Sequence, residues 1–149
     1  MIMTAALSDI RIEDRVEYLL RLGDSAMILG HRLSEWCGHG PVLEEDIAIS
    51  NIALDLLGQA RLIYTHAGGI EGIGRDEDAF AFLRAEADWR HPLLVEQPNG
   101  DFAVTIVRQF MMDCFHVELF TALQSSTDPE IAAIAAKAIK EVTYHRRHS

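Results

Sequence analysis

Four carboxylates in this chain have the residue type and the spacing to form a metal site. They pair across two predicted helical hairpins as Asp24 with Asp55 and Asp113 with Glu141. Counting about 1.5 Å per residue from each predicted turn makes the acids of a pair nearly level. Such a four-acid frame is typical of a carboxylate-bridged di-iron centre, which also needs a histidine one turn after the acid on two helices. The sequence has Gly58 and Tyr144 at those positions, so it predicts the frame with an incomplete ligand set.

Two histidines offer imidazole groups near the second pair of acids. His116 follows Asp113 by about one turn, and His145 follows Glu141 in the same way. Imidazole at such spacing can bind a metal, but a di-iron bundle places its histidines elsewhere. We therefore predict that both are hydrogen-bonded residues of the core or of an interface, with metal binding as the alternative.

The acids themselves allow two interpretations. Clustered carboxylates in a dry interior repel one another and need cations, protons or hydrogen-bond donors. A di-iron centre is one solution, and ion pairs with Arg or Lys are the other. Asp113 lies within the apolar stripe of its helix, whereas Asp24 and Asp55 lie beside the main stripes of theirs. Those two acids are either part of the cluster or ordinary surface and helix-contact residues.

Composition restricts the class of protein. The chain has 149 residues, 49% of them hydrophobic, and a net charge of −10, so we expect one domain over residues 1–149. No apolar run reaches the roughly 20 residues of a membrane span, and the acidic charge disfavours nucleic acid. The sequence of residues 1–12 predicts a frayed N-terminal leader and does not match the pattern of a signal peptide. Two distant cysteines, Cys37 and Cys114, predict reduced thiols and a cytoplasmic location.

Hydrophobic periodicity predicts four long helices. They run from Asp14 to Trp36, from Leu43 to His66, from Asp101 to Gln124, and from Pro129 towards the end of the chain. The first helix has a second apolar strip, Val16, Leu20 and Met27, so it is either central in its domain or faces a partner. The predicted core stripe of the third helix is Phe102, Ile106, Phe110, Val117, Phe120 and Leu123.

Local signals set the boundaries of these helices. Gly68 and Gly69 predict the end of the second helix. Asp128 as N-cap and Pro129 as first helical residue predict the start of the fourth. We interpret residues 67–100 between the hairpins as a long crossover.

The crossover contains a predicted short helix at residues 76–90 and an extended apolar strip at residues 93–95. Two helical hairpins joined by one long crossover are typical of an all-α, ferritin-like four-helix bundle. This is the fold that we expect.

Three segments resemble a known family, the PaaC-type structural subunits of the bacterial phenylacetyl-CoA ring epoxidase. They are LRLGDSAMILGHRLSEWCGHGPVLEEDIAISNIALDLLGQAR, LLVEQPNGDFAVTIVRQFMMDCFHVELF and KAIKEVTYH. The likeness covers roughly residues 17–148, and the runs EWCGHGP and LLVEQPNG are specific features of it.

The resemblance implies a ferritin-like subunit without a working metal centre of its own. Its expected partner is a homologous catalytic subunit that carries a di-iron centre, activates oxygen and epoxidises the aromatic ring of the CoA thioester. A second copy of this chain is the other partner that we keep as an alternative. Family members are longer, with further helices after the segment that matches KAIKEVTYHRRHS, so we expect this chain to be an N-terminal part, truncated at its C-terminus.

We therefore predict a non-catalytic scaffold in aerobic phenylacetate catabolism, without a cofactor or catalytic residues of its own. Two alternatives remain: a di-iron enzyme, and a helical interaction module from an unrelated pathway. The degenerate di-iron-like positions, which would be ligands in the first alternative, are Asp24, Asp55, Asp113, His116, Glu141 and His145.

Overall fold

In the computed structural model, every regular element of the described residues is helical, which confirms the all-α class. The described residues are residue 7 and residues 10–149. The helices are α1 Ile12–Ser34, α2 Leu43–Glu71, α3 Glu77–Phe82, α4 Leu93–Glu96, α5 Phe102–Leu123 and α6 Pro129–His148. Most of the predicted leader at residues 1–12 lies outside the described residues, and in the rest no helix has both the length and the hydropathy to cross a membrane.

The hairpin of α1 and α2 has a register that sequence counting did not predict. Gly23 on α1 lies so close to α2 that a Cβ atom there would come within 2.6 Å of the Tyr64 ring. Beyond the end of α1, the amide of Gly40 donates to the carboxylate of Asp46 at 2.9 Å. The residues that connect the two helices therefore run back along the first turns of α2. Each residue of α1 consequently lies beside a later residue of α2 than a count from the turn predicts.

Helix α1 is central in this part of the chain. Its second apolar strip is buried, with Val16, Leu20 and Met27 between 7% and 8% exposed. The prediction that this helix is central in its domain is therefore confirmed. The side chains of the second strip are not available to a partner.

Helix α2 continues past the glycines that were predicted to end it. Gly68 and Gly69 are both helical, and α2 ends at Glu71. Its C-cap, Gly72, has a left-handed φ of 71°, and the Gly72 amide donates to the Gly68 carbonyl at 3.0 Å. Gly68 serves packing instead, because a Cβ atom there would lie 2.2 Å from the carbonyl oxygen of Arg75. The predicted end at His66 is wrong for this reason.

The crossover is less regular than predicted. Helix α3 ends at Phe82, and only a short 3₁₀ turn, Glu86–Asp88, follows within the range where one helix was expected. The residues expected to be extended, 93–95, instead belong to the one-turn helix α4, which begins directly after Pro92. Pro92 is the N-cap residue of this helix, and its own backbone is extended, with φ −72° and ψ 150°.

Helices α5 and α6 form the second hairpin. Their starts agree with prediction, since Asp101 and Asp128 accept hydrogen bonds from backbone amides of the first turn. The core face of α5 agrees only in part with the predicted stripe, because Val117 and Phe120 are buried but Phe110 is 45% exposed, and Gln109 and Met112 are buried instead. Helix α2 packs against α6, which joins the two hairpins. The ferritin-like topology and the single domain stay predictions.

Candidate functional site

Asp24 is fully buried, and hydrogen-bond donors occupy both oxygens of its carboxylate. Oδ1 accepts from the hydroxyl of Tyr64 at 2.7 Å and from Nη2 of Arg84. Oδ2 accepts from Nη1 of Arg84 at 3.0 Å and from the backbone amide of Arg90 at 2.7 Å. The side chain of Arg84 is only 4% exposed, so the two residues form a buried, bidentate ion pair.

The aromatic residues around Arg84 fix its guanidinium in place. Its Cζ lies 4.4 Å from the ring centroid of Trp89 and 5.6 Å from that of Tyr64, within the range of cation–π attraction. Burial and the charge of Asp24 raise the pKa of the Tyr64 phenol, so this hydroxyl remains a donor. The crossover is thus attached to the core through one polar centre.

Asp24 and Asp55 do not meet. Asp24 is level with Tyr64, and Asp55 precedes Tyr64 by nine residues, which is about 13 Å along a helix. The prediction that these two acids pair at one height is therefore wrong. The cause is the shifted register of the first hairpin, which counting from the turn cannot detect.

The remaining predicted residues lie together where α2, α5 and α6 meet. Nε2 of His145 lies 3.0 Å from Oδ2 of Asp55, and its Nδ1 lies 3.9 Å from Oδ1 of Asp113. On the same faces, Nε2 of Gln59 donates to Glu141 at 2.8 Å. The central imidazole of His145 is fully buried between two carboxylates.

Among the described residues, Asp113 pairs with no Arg or Lys side chain, and neutral hydrogen-bond donors contact it instead. Gln109 Nε2 donates to its Oδ1 at 2.7 Å, and the hydroxyl of Ser149 donates to its Oδ2 at 2.9 Å. Burial raises the pKa of Asp113 to about 7, although both hydrogen bonds act in the opposite direction. Near neutral pH this acid therefore takes up a proton readily.

The two predicted histidines are poor proton acceptors. Burial lowers the pKa of His116 to about 4. Burial also lowers the pKa of His145, although Asp55 partly opposes this shift. A protonated Asp113 beside neutral imidazoles reduces the charge that this part of the interior must bury, and hydrogen bonds from Gln59 and Ser149 connect the helices as a network. Such a network can specify packing between helices without any bound ion.

These donors do not fit a di-iron centre. Among the residues that the structure describes, no three His, Cys, Asp or Glu side chains converge closely enough to hold a metal ion. Asp24 is engaged with Arg84, Gly58 has no side chain, and Tyr144 is 45% exposed. His116 lies on α5 and has aromatic neighbours, with the centroids of Phe115 and Phe120 at 5.8 Å.

Sequence reasoning missed the residues that neutralise or join these groups. Arg84 was not singled out, although a buried acid without a metal implies a cation nearby. His66, at the predicted end of the second helix, pairs with Asp128 at 3.0 Å, and Arg15 pairs with the same carboxylate at 3.1 Å. Asp128 therefore joins α1, α2 and α6 as well as capping α6, a role that no local pattern indicates.

The two specific runs of the sequence, EWCGHGP and LLVEQPNG, meet in space. Nδ2 of Asn99 donates to the carboxylate of Glu35 at 2.8 Å. Nε1 of Trp36 donates to the hydroxyl of Thr105 at 3.0 Å, and that hydroxyl donates to the carbonyl of Asn99 at 2.8 Å. The runs therefore connect the end of α1 with the start of α5, which is a structural role.

Comparison with known proteins gives a consistent result. A family profile described as phenylacetic acid catabolic protein matches residues 3–149. One of the subunits of 1,2-phenylacetyl-CoA epoxidase from Escherichia coli strain K12 is 58% identical over 132 residues. The match covers 89% of this chain and 53% of that protein, so the chain spans about half the length of the curated relative. Both matches agree with the resemblance carried by the three segments.

Proposed function

We propose that this chain, which belongs to the phenylacetic acid catabolic protein family, is a non-catalytic structural subunit of a multicomponent phenylacetyl-CoA epoxidase. It would act in aerobic phenylacetate catabolism. The substrate and the assembly come from the name of the relative, which is called a subunit of such an epoxidase. The proposed partner is a homologous catalytic subunit that carries the di-iron centre, and this chain would hold that partner's bundle in its active geometry.

The ion pair of Asp24 and Arg84 supports a structural role. A carboxylate that binds iron needs free oxygen lone pairs directed at the metal, and here protein donors take up both oxygens. The guanidinium supplies the positive charge that a metal would otherwise supply. Because Arg84 comes from the crossover, the acid stabilises the fold and not a reaction centre.

A second candidate function is a di-iron enzyme, and the position of His145 favours it. Its imidazole lies between Asp55 and Asp113, so two carboxylates and one imidazole lie side by side, although they do not converge on a common point in the described part of this structure. This alternative predicts that the chain alone binds iron.

The deciding experiment is co-expression with the catalytic subunit, followed by size-exclusion chromatography and iron analysis of the purified complex. We expect one peak that contains both chains, with iron in proportion to the catalytic subunit. An Asp113→Asn substitution should leave the iron content unchanged, as should the exposed control Asp78→Asn. Iron bound by this chain alone and lost in the Asp113 variant would support the enzyme instead.

Failure to co-elute would contradict the scaffold proposal directly. An apolar contact on the outer surface of this chain is needed for a stable pair, and such interfaces bury about 1,200–2,000 Å². The same chromatography run on this chain by itself measures self-association, which would appear as a larger species in the absence of any partner.

A further inference from the structure

A cleft lies between α1 and α5, and crossover residues 89–92 close one side of it. Its volume is about 590 Å³, which is in the range of pockets for small organic molecules. None of the residues discussed above as di-iron-like positions lines it, except His116. The cleft is therefore largely separate from the network around Asp113.

Aromatic side chains form much of the wall of the cleft. Trp89 lines it from the crossover, and Phe115 and Phe120 line it from α5. The imidazole of His116 lies close to both phenylalanine rings, with centroid distances of 5.8 Å to each. Flat rings at these positions offer stacked and edge contacts to a planar ligand.

The charge along the cleft is positive, in contrast to the chain as a whole. The chain has 23 acidic and 13 basic residues, yet the charged residues that line the cleft are Arg21 and Arg90, with no Asp or Glu among the described residues there. Glu17 contacts both guanidinium groups at 3.2 Å from outside the lining. Because Arg21 and Arg90 share the single carboxylate of Glu17, their part of the rim keeps a positive charge, whereas Glu96 lies 2.9 Å from Nε2 of His91 at another part of the lining.

Two buried imidazole nitrogens face no partner in this region. Nδ1 of His91 and Nδ1 of His116 are buried, and no other described residue forms a hydrogen bond with them. Both residues line the cleft, and His116 is 3% exposed. A buried polar atom without a partner carries a cost of about 1–3 kcal/mol, so a small ring movement that turned either nitrogen towards the cleft would let a ligand satisfy it.

We propose that this cleft binds a small organic anion with an aromatic body. The ring would lie against Trp89, Phe115 and Phe120, and the anionic group would face Arg21 and Arg90 at the rim. The imidazole of His116 would form a hydrogen bond to a polar atom of the ligand. This inference is independent of the proposed structural function, because it concerns a binding site of this chain alone.

The test uses isothermal titration calorimetry of the whole chain with two probes of the same shape. Naphthalene-2-carboxylate carries the anionic group, and naphthalene-2-carboxamide is its neutral counterpart. We expect saturable binding of the carboxylate with one molecule per chain, and at least about tenfold weaker binding of the carboxamide, as befits a charge-assisted hydrogen bond.

Matched variants locate the site. Leu119→Trp fills the cleft from α5 and should abolish binding, whereas Leu54→Trp, on the exposed side of α2, should not change it. Arg21→Gln should weaken binding of the carboxylate about tenfold. The control is Arg61→Gln, because Arg61 is similarly exposed and also pairs with a glutamate.

Three results would overturn the proposal. They are the absence of saturable binding, binding that survives Leu119→Trp, and equal affinity for the two probes. The last result would mean that the cleft is a plain apolar surface for another protein segment to cover.

Discussion

Nη1 of Arg84 lies 3.0 Å from Oδ2 of Asp24, and this contact connects the crossover to the centre of the first hairpin. The two side chains are 4% and 0% exposed, and they are 60 residues apart in sequence. Removing charged groups from water costs free energy, so this pair is stable only while both partners and their additional hydrogen bonds are present. The loss of one partner is therefore far more harmful than the loss of both.

Replacing Arg84 by methionine should destabilise the protein strongly. The variant leaves the carboxylate of Asp24 buried and unpaired, and we expect the free energy of unfolding to fall by about 3–5 kcal/mol. Urea denaturation followed by circular dichroism measures this change. The control is Arg61→Met, which removes an exposed pair with Glu77 and should cost less than about 1 kcal/mol.

The double variant Asp24→Leu with Arg84→Met separates charge pairing from packing. It should recover part of the lost stability, because no unpaired charge remains in the interior. If the two charges did not interact, the effects of the two substitutions on the free energy of unfolding would add. A double variant that is less stable than Arg84→Met by this full amount would contradict the ion-pair argument.

His116 should make the protein sensitive to acid. Its pKa of about 4 in the folded protein lies below the ordinary value of 6.5, so between these values only the unfolded chain binds the proton. The contribution of His116 to stability is therefore lost as the pH falls from about 6.5 to about 4. Replacement by glutamine should remove this pH dependence, which amounts to about 3 kcal/mol.

The measurement is the difference in unfolding free energy between wild type and His116→Gln at several pH values. The difference should shift in favour of the variant as the pH falls through this interval. His39→Gln is the matched control, because His39 is exposed. A constant difference for His116→Gln would mean that the imidazole is solvated.

Asp113 should have the opposite pH dependence. Its pKa is raised from 3.8 to about 7, so between these values only the folded protein holds the proton. Stability from this group is fully present below about pH 4 and is lost as the pH rises through 7. Asparagine has no proton to lose, so Asp113→Asn should gain about 2–4 kcal/mol relative to wild type between pH 4 and pH 8.

Thermal unfolding of wild type and Asp113→Asn across this pH range tests that expectation. Asp78→Asn is a suitable control, since Asp78 is exposed on α3. A variant that becomes relatively less stable as the pH rises would show that a charged carboxylate is favoured here, and that His145 is the protonated partner.

Local chemistry was sufficient to predict some features of this fold. The starts of α5 and α6 were correct, because Asp101 and Asp128 cap the helices with their own side chains. Amphipathic spacing likewise identified the four long helices. The burial of Asp113 was correct as well, since its place within an apolar stripe depends on the helix alone.

Features that depend on distant contacts were not predictable in the same way. The levels of Asp24 and Asp55 depend on how the turn residues pack along α2, and no count from the turn contains that information. The identity of Arg84 as the partner of Asp24 depends on the path of the crossover. A search for the cation that a buried acid requires would have narrowed the choice to the few arginines of that segment.

Two adjacent glycines on α2 provide a test of this distinction. Gly68→Ala would place a Cβ atom 2.2 Å from the carbonyl oxygen of Arg75, a backbone atom that cannot rotate away. We expect the free energy of unfolding to fall by about 1–3 kcal/mol, the usual cost of overpacking. Gly69→Ala meets nothing within 4 Å and should stabilise the helix by up to about 1 kcal/mol.

We expect the two glycine variants to change the free energy of unfolding in opposite directions, and this contrast tests the packing at Gly68. Both substitutions add one methyl group to the last turn of the same helix, so their effects on helix propensity are alike. Only contact with the segment after Gly72 distinguishes them. If Gly68→Ala were as stable as Gly69→Ala in urea denaturation, the segment around Arg75 would not pack against α2 at Gly68, and the packing role assigned to this glycine would be wrong.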